Sequence, residues 1–179
     1  MSAEGRRVQL VRERAGSWPF SARRHPHFNL WTATATSALM IEAMHADVDL
    51  VLVDRGLFDA LCWMEWYRRL GHLTPHEHRA IGGFLRVGPL RKMIHLVLVM
   101  TVEPEVAIQR ELATRPPAMG YTPGTVVNTE TLALLNDTIA AVANRHRNEF
   151  NLHELDTTAM SPEETLQRVA GAVRALLSR

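Results

Sequence analysis

Short runs rich in apolar residues at Val8–Val11, Asp49–Val53, His95–Met100 and Leu152–Leu155 alternate along the chain with longer segments of helical character. The run Leu50-Val51-Leu52-Val53 is the clearest, because Asp54-Arg55-Gly56 closes it. A short β-branched run ending in an acid and a glycine predicts a buried parallel strand that delivers a carboxylate to the carboxyl edge of a sheet, where α/β proteins place ligands. Between the runs, helices are predicted at Asn29–Ala46, at Leu57–Leu70 closed by Gly71, and from Pro75 to about Arg86 with a break near Gly82-Gly83. Three more are predicted at Pro104–Ala113, stopped by Arg115-Pro116-Pro117, at Asn128–Arg147, and after Ser161-Pro162-Glu163-Glu164, which is close to a capping box. Ser17–Phe28 and Met119–Thr125 read as loops. Strands alternating with helices of this length predict an α/β protein with one mainly parallel sheet covered on both faces. No repeat, low-complexity tract or linker divides residues 1–179, so a single domain is expected.

Composition narrows the partners. With 46% hydrophobic and 22% charged residues among 179, the chain can bury a core. A net charge of +1 argues against nucleic acid or an anionic membrane as the main partner, although Arg6, Arg7, Arg12, Arg14, Arg23 and Arg24 make the amino-terminal part locally basic. The single cysteine, Cys62, excludes an internal disulfide, and no apolar stretch approaches the ~18 residues of a membrane span. Met1–Gly16 lacks the apolar core of a signal peptide, which makes the cytoplasm the expected compartment. The one lysine, Lys92, is followed by Met93, so no phosphate-binding loop of the form G-x-x-x-x-G-K-[ST] is present.

Glu13 after the first strand, Trp18 in the pattern E-x-x-x-x-W, Trp31 and then Asp54-Arg55 form an ordered series. In that order they resemble the deoxynucleoside kinase and thymidylate-kinase-like group of P-loop kinases. The resemblance implies that Glu13 acts on the phosphoryl-acceptor hydroxyl and that Trp18 lines a nucleoside pocket. It implies equally that Asp54 and Arg55 position the acceptor and the metal. The helix beginning at Trp31 carries, in several relatives, a glutamine that reads the base; here Thr36 offers one hydroxyl instead of a bidentate amide, so base preference is not carried over. His95–Val99 followed by Val102–Arg110 is similar to the family's fourth strand and the helix leading into its lid, about residues 110–125. Arg110 and Arg115 match the lid arginines that close on donor phosphates. Leu155-Asp156-Thr157-Thr158 with the following Ser161-Pro162-Glu163-Glu164 resembles the last strand and terminal helix.

The resemblance therefore implies the three-layer sheet of a P-loop kinase and ATP-dependent phosphoryl transfer to a nucleoside, a nucleotide or a similar small hydroxylated acceptor. Mg²⁺ and ATP are the implied cofactors, Asp54 the implied metal ligand, and a homodimer a possible assembly. One departure matters. The family's first, central strand and its Gly-rich loop precede the strand equivalent to Val8–Val11, where only Met1–Arg7 stand. The strands starting at Asp49 and His95 are accordingly expected to flank an opening or to be abnormally juxtaposed. The sequence is thus expected to be either an amino-terminally truncated kinase or a pseudokinase that binds a nucleotide or a partner without turnover.

Each candidate also has a plainer reading. Glu13 and Arg14 fit a solvated strand end, Trp18, Phe20 and Phe28 fit packing over a sheet edge, and Arg110 fits a helix-surface charge paired with Glu105 or Glu111. Trp63, Trp66 and Tyr67 at helical spacing fit a core or an interface better than a base platform. A rival of another class rests on His72, His76 and His78 beside Glu77, with His25 and His27 as a second H-x-H, which suggest a metal hydrolase. Surface histidines around a helix cap explain that cluster more cheaply.

Overall fold

The computed structural model describes residues 5–18, 25–114 and 127–178. They form two compact units, 1–94 and 95–179.

In the first unit, β1 (Val8–Val11) runs parallel to β2 (Leu50–Val53), in register from Val8 opposite Leu50 to Val11 opposite Val53. The connection between them is α1 (Pro26–Met44), a crossover of the length that a parallel pair requires. His25 caps α1, its ring Nδ1 accepting the His27 amide at 3.2 Å, and Pro26 takes the first turn, where a missing N–H costs nothing. At the start of the pair, the Arg7 amide donates to the Asp49 carboxylate at 2.7 Å, and the Arg7 guanidinium pairs with Asp47. Next comes α2 (Leu57–Arg69), which packs against α1 and against α3 (Pro75–Leu85). The core of this unit is carried by α2, with Leu57, Met64 and Tyr67 almost completely buried and Leu85 of α3 against them.

The sequence expectation of a break at Gly82-Gly83 is corrected, because α3 continues through both glycines. A full capping box starts it, with Thr74 Oγ1 accepting the Glu77 amide and the Glu77 carboxylate accepting the Thr74 amide at 2.8 Å. Buried Gly82 then faces Leu61 of α2, and this packing outweighs the weak helix propensity of glycine, roughly 1 kcal/mol per residue. A short helix, α4 (Gly88–Arg91), ends the unit.

In the second unit, β3 (Val97–Thr101) pairs in parallel with β4 (Leu152–Asp156), from Val97 opposite Leu152 to Thr101 opposite Asp156. Between them lie α5 (Pro104–Thr114) and α6 (Thr129–His146), which pack on each other, and α7 (Pro162–Leu177) follows β4. The expected cap of the last helix is a full capping box, Ser161 Oγ accepting the Glu164 amide and Glu164 accepting that of Ser161. Val99, Val142, Ala143, Phe150 and Leu155 form the core here.

The strands therefore form two parallel pairs, β1 with β2 and β3 with β4. No helix among those residues is long and apolar enough to cross a membrane.

Candidate acceptor site

Because β1 and β2 run side by side in register, their carboxyl ends lie together, and the residues that follow each strand meet. The Asp54 amide donates to the Val11 carbonyl at 2.9 Å, extending the ladder by one bond. Beyond it, Arg55 adopts a left-handed backbone with φ of 54°, a conformation uncommon for residues other than glycine. That turn brings the Arg55 Nε to 3.4 Å from Glu13 Oε1, with side chains 50% and 35% exposed respectively. An ion pair this open to water is worth little to stability, about 0–1 kcal/mol, and it remains available to a ligand. Asp54 is exposed beside it.

Gly56 caps α2, so the amino terminus of that helix starts directly after Arg55, and Asp59 occupies its first turn. The Asp59 residue keeps part of its surface exposed, but its carboxyl group is enclosed by protein. Loss of hydration pushes its pKa up to about 6, against the pull of the Arg55 charge and with added repulsion from Glu13 and Asp54. Asp59 was missed in the sequence, where Leu57–Leu70 reads as a uniformly apolar, aromatic helix. The available signal was an acid four residues after Arg55 in a first helical turn.

Trp18 ends a single 3₁₀ turn, Ala15–Ser17, that begins shortly after Glu13. Its ring meets Phe28 edge-on at 5.6 Å and Trp31 at 5.5 Å, forming an aromatic cluster at the start of α1. Thr36 lies on the buried face of α1 with Ala33, Ser37 and Met40. Trp66 and Tyr67 are buried in the core, as the plainer reading expected, with Trp63 and Trp66 edge-to-face at 5.5 Å.

The histidines do not gather. His72 stacks on Tyr67 at 6.0 Å, His78 lies 3.2 Å from Glu65, and the rings of His25 and His27 stand 4.2 Å apart. Among the described residues no group of three histidines, cysteines or acids is placed to hold a metal ion.

In the second unit, Arg110 Nη2 donates to the carbonyls of Thr157, Thr158 and Met160 at 2.9, 3.1 and 2.9 Å. These bonds tie α5 to the loop after β4, where Asp156 holds the Thr158 amide and hydroxyl and Thr158 in turn accepts the Glu103 amide. Arg115 and the rest of the expected lid, 115–125, lie outside the described residues. Replacing Arg110 with methionine should cost the protein about 2 kcal/mol, since three carbonyls lose a charged donor. Hydrogen exchange at the amides of Thr157–Met160 measures this directly: faster exchange is expected in Arg110→Met, and unchanged protection would show that the tether carries no energy.

Comparison with known proteins finds no matching family model and no curated relative. Solved structures do match. A deoxyadenosine kinase from M. mycoides with the products dCMP and a flexible dCDP bound aligns over 94% of this chain and 86% of its own, with a TM-score of 0.69 and 14% identity. Structures of that kinase with dATP and with dCTP align over the same 94%, and over 99% and 98% of their own chains, with TM-scores of 0.61 and 0.59 and identities of 12% and 10%. The chain thus has the α/β fold of the deoxynucleoside kinase-like P-loop kinases.

Proposed function

We infer, from this fold and from the residues at the ends of β1 and β2, that the chain carries the acceptor side of a kinase transferring a phosphoryl group from ATP to a nucleoside, a nucleotide or a similar small hydroxylated molecule. The observation that carries this reading is the Glu13–Arg55 pair at 3.4 Å with Asp54 beside it. In this reading Glu13 takes the proton of the acceptor hydroxyl as its oxygen bonds the γ-phosphorus and the bond to the ADP oxygen breaks. Arg55 orients Glu13 and neutralises phosphate charge, and Trp18 supplies an aromatic wall for a flat base. The deoxynucleotides held by the M. mycoides kinase support a ligand of this class.

Mg²⁺ takes one or two carboxylates and fills its remaining positions with phosphate oxygens and water, so exposed Asp54 fits it without a dedicated cage. When bound, the ion would neutralise the donor phosphates. The same reading gives Arg110 and Arg115 as candidate donor-side cations, Thr36 as a candidate contact to the acceptor, and the cytoplasm as the compartment.

A second reading, nucleotide or partner binding without turnover, is favoured by one observation. The only lysine, Lys92, precedes Met93, and no G-x-x-x-x-G-K-[ST] occurs in these residues. Arginine forks bind phosphate bidentately, yet they do not replace a ring of backbone N–H groups at a helix amino terminus. Calorimetric titration with a panel of nucleosides and nucleoside monophosphates tests what both readings share. Binding is expected, weakened about tenfold or more, ~1.4 kcal/mol, in Trp18→Ala and in Arg55→Ala. Labelled-ATP turnover abolished by Asp54→Ala would select the kinase, and binding without turnover the second reading. Binding of none of the panel, or binding unchanged in both variants, would remove the acceptor assignment.

A further inference from the structure

Among the described helices that begin on a side-chain cap, α1 alone is capped by an imidazole. Thr74, Asn128 and Ser161 start α3, α6 and α7 with hydroxyl or carboxamide oxygens, whose lone pairs persist over the whole physiological pH range. The cap of α1 instead accepts the His27 amide on Nδ1 of His25 at 3.2 Å, and an imidazole nitrogen accepts only while it carries no proton. His25 also serves the rest of that turn. Its carbonyl accepts the Phe28 amide at 3.0 Å and the Tyr67 hydroxyl of α2 at 3.3 Å, and Pro26 has no amide to satisfy. The start of α1 therefore rests on one residue, and that start carries Phe28, whose ring stands edge-on to Trp18 at 5.6 Å.

We propose that His25 is a proton-sensitive cap: with its one ring proton on Nε2 it closes the first turn of α1 and holds Phe28 against Trp18, and a second proton, on Nδ1, opens that turn. Protonated Nδ1 is a donor facing a donor, so the His27 amide loses its partner. The ring also gains a positive charge at the positive end of the α1 dipole. Both effects act against the closed turn. The titratable groups that meet His25 are few. His27, on the same turn, stands ring to ring with it at 4.2 Å, and Tyr67 reaches it from α2 with His72 stacked on Tyr67 at 6.0 Å. The strand β1, which also packs on α1, carries no charged residue. The opening of the turn follows from the cap itself; its consequence for a bound base rests on the acceptor-side reading, in which Trp18 is the aromatic wall.

NMR of the full chain between pH 8 and pH 5, the range in which imidazoles change charge, tests the cap. The ring nitrogens of His25 should report the Nε2–H tautomer at pH 8. Protection of the His27 and Phe28 amides, corrected for intrinsic exchange at each pH, should fall about fivefold or more by pH 5, the size of a lost cap. His25→Asn, an oxygen cap, should keep the protection at both pH values, and His25→Ala should lack it at both. His27→Gln, which leaves the cap in place, should retain the pH dependence. A proton on Nδ1 at pH 8, or an equal fall of protection in His25→Asn, overturns the proposal. Nucleoside affinity should weaken several-fold from pH 8 to pH 5 in the wild type, and His25→Asn should remove most of that change. Affinity that is unchanged while the amides lose protection would take Phe28 out of the binding wall. If no nucleoside binds at either pH, the acceptor reading falls, and the amides still decide the cap.

Discussion

Replacing Glu65 with alanine should cost about 2–3 kcal/mol of folding stability, the loss expected when a buried acceptor of charge-assisted hydrogen bonds is removed. Glu65 sits on α2 with a side chain only 1% exposed. Arg68 approaches it with two donors, Nη2 at 2.6 Å and Nε at 3.0 Å, Arg69 Nε stands at 3.4 Å, and His78 Nε2 reaches it from α3 at 3.2 Å. Truncation empties the buried site, takes the partner from Arg68 and Arg69, and removes the contact that His78 makes from α3. A penalty of this size is a large part of the ~5–15 kcal/mol that holds a typical domain folded. Glu65→Gln keeps the volume and an acceptor oxygen, so it should cost less and keep the effect measurable if the alanine variant does not fold. Asp47→Ala is the control, because its partner Arg7 and Asp47 itself are 55% and 90% exposed, and such surface pairs contribute at most ~1 kcal/mol. All four tryptophans, Trp18, Trp31, Trp63 and Trp66, lie in the first unit, so their fluorescence during urea unfolding reports on it. A Glu65→Ala loss no larger than that of Asp47→Ala would show that the cluster is not a stabilising element.

The second large effect is a dependence of stability on pH with the sign opposite to that of an ordinary paired carboxylate. Asp59 has a folded pKa of about 6, raised from the ordinary 3.8 by burial. Below the unfolded value both states hold the proton, and its contribution is fully present. Between the two values the unfolded chain releases the proton while the folded chain keeps it, and above the folded value the fold carries an enclosed charge. Stability from this group is therefore lost as pH rises through about 4 to 6, by ~3 kcal/mol from the size of the shift. Asp49, Glu77, Asp156 and Glu164 act in the reverse sense, since hydrogen bonds and neighbouring charges hold their pKa values down. The quantity to measure is thus the difference in unfolding free energy between the wild type and Asp59→Asn across this range. The variant should gain relative to the wild type as pH rises. A difference that stays constant would mean that the Asp59 carboxyl is hydrated in the folded protein.

Much of the local structure follows from the sequence because its causes are local. Thr74 with Glu77 and Ser161 with Glu164 each satisfy the orphan amides of a helix start within four residues, so both helices begin where the pattern says. Leu50–Val53 followed by Asp54-Arg55-Gly56 declares a strand and the turn that ends it, and the structure adds the left-handed Arg55 at that turn. The likeness to the kinase group is likewise carried by the order of such segments along the chain, and the fold agrees with it. What the sequence could not express is the environment of a charge. Arg110, matched to a lid arginine, is engaged on three carbonyls some fifty residues away, and Glu65, an acid of α2, is buried among contacts from two arginines and from His78 of another helix. Asp59 differs from any exposed aspartate only in the protein that encloses it. Strand partners and the continuation of α3 through Gly82-Gly83 belong to the same class. The sequence by itself determined the elements, their caps and the order of the candidate residues, since these depend on dihedral preference and short-range hydrogen bonds. Only the tertiary structure decided which strands pair, which acids lose their water and which arginine is committed, since desolvation and Coulomb energy depend on groups that are distant in sequence and adjacent in space.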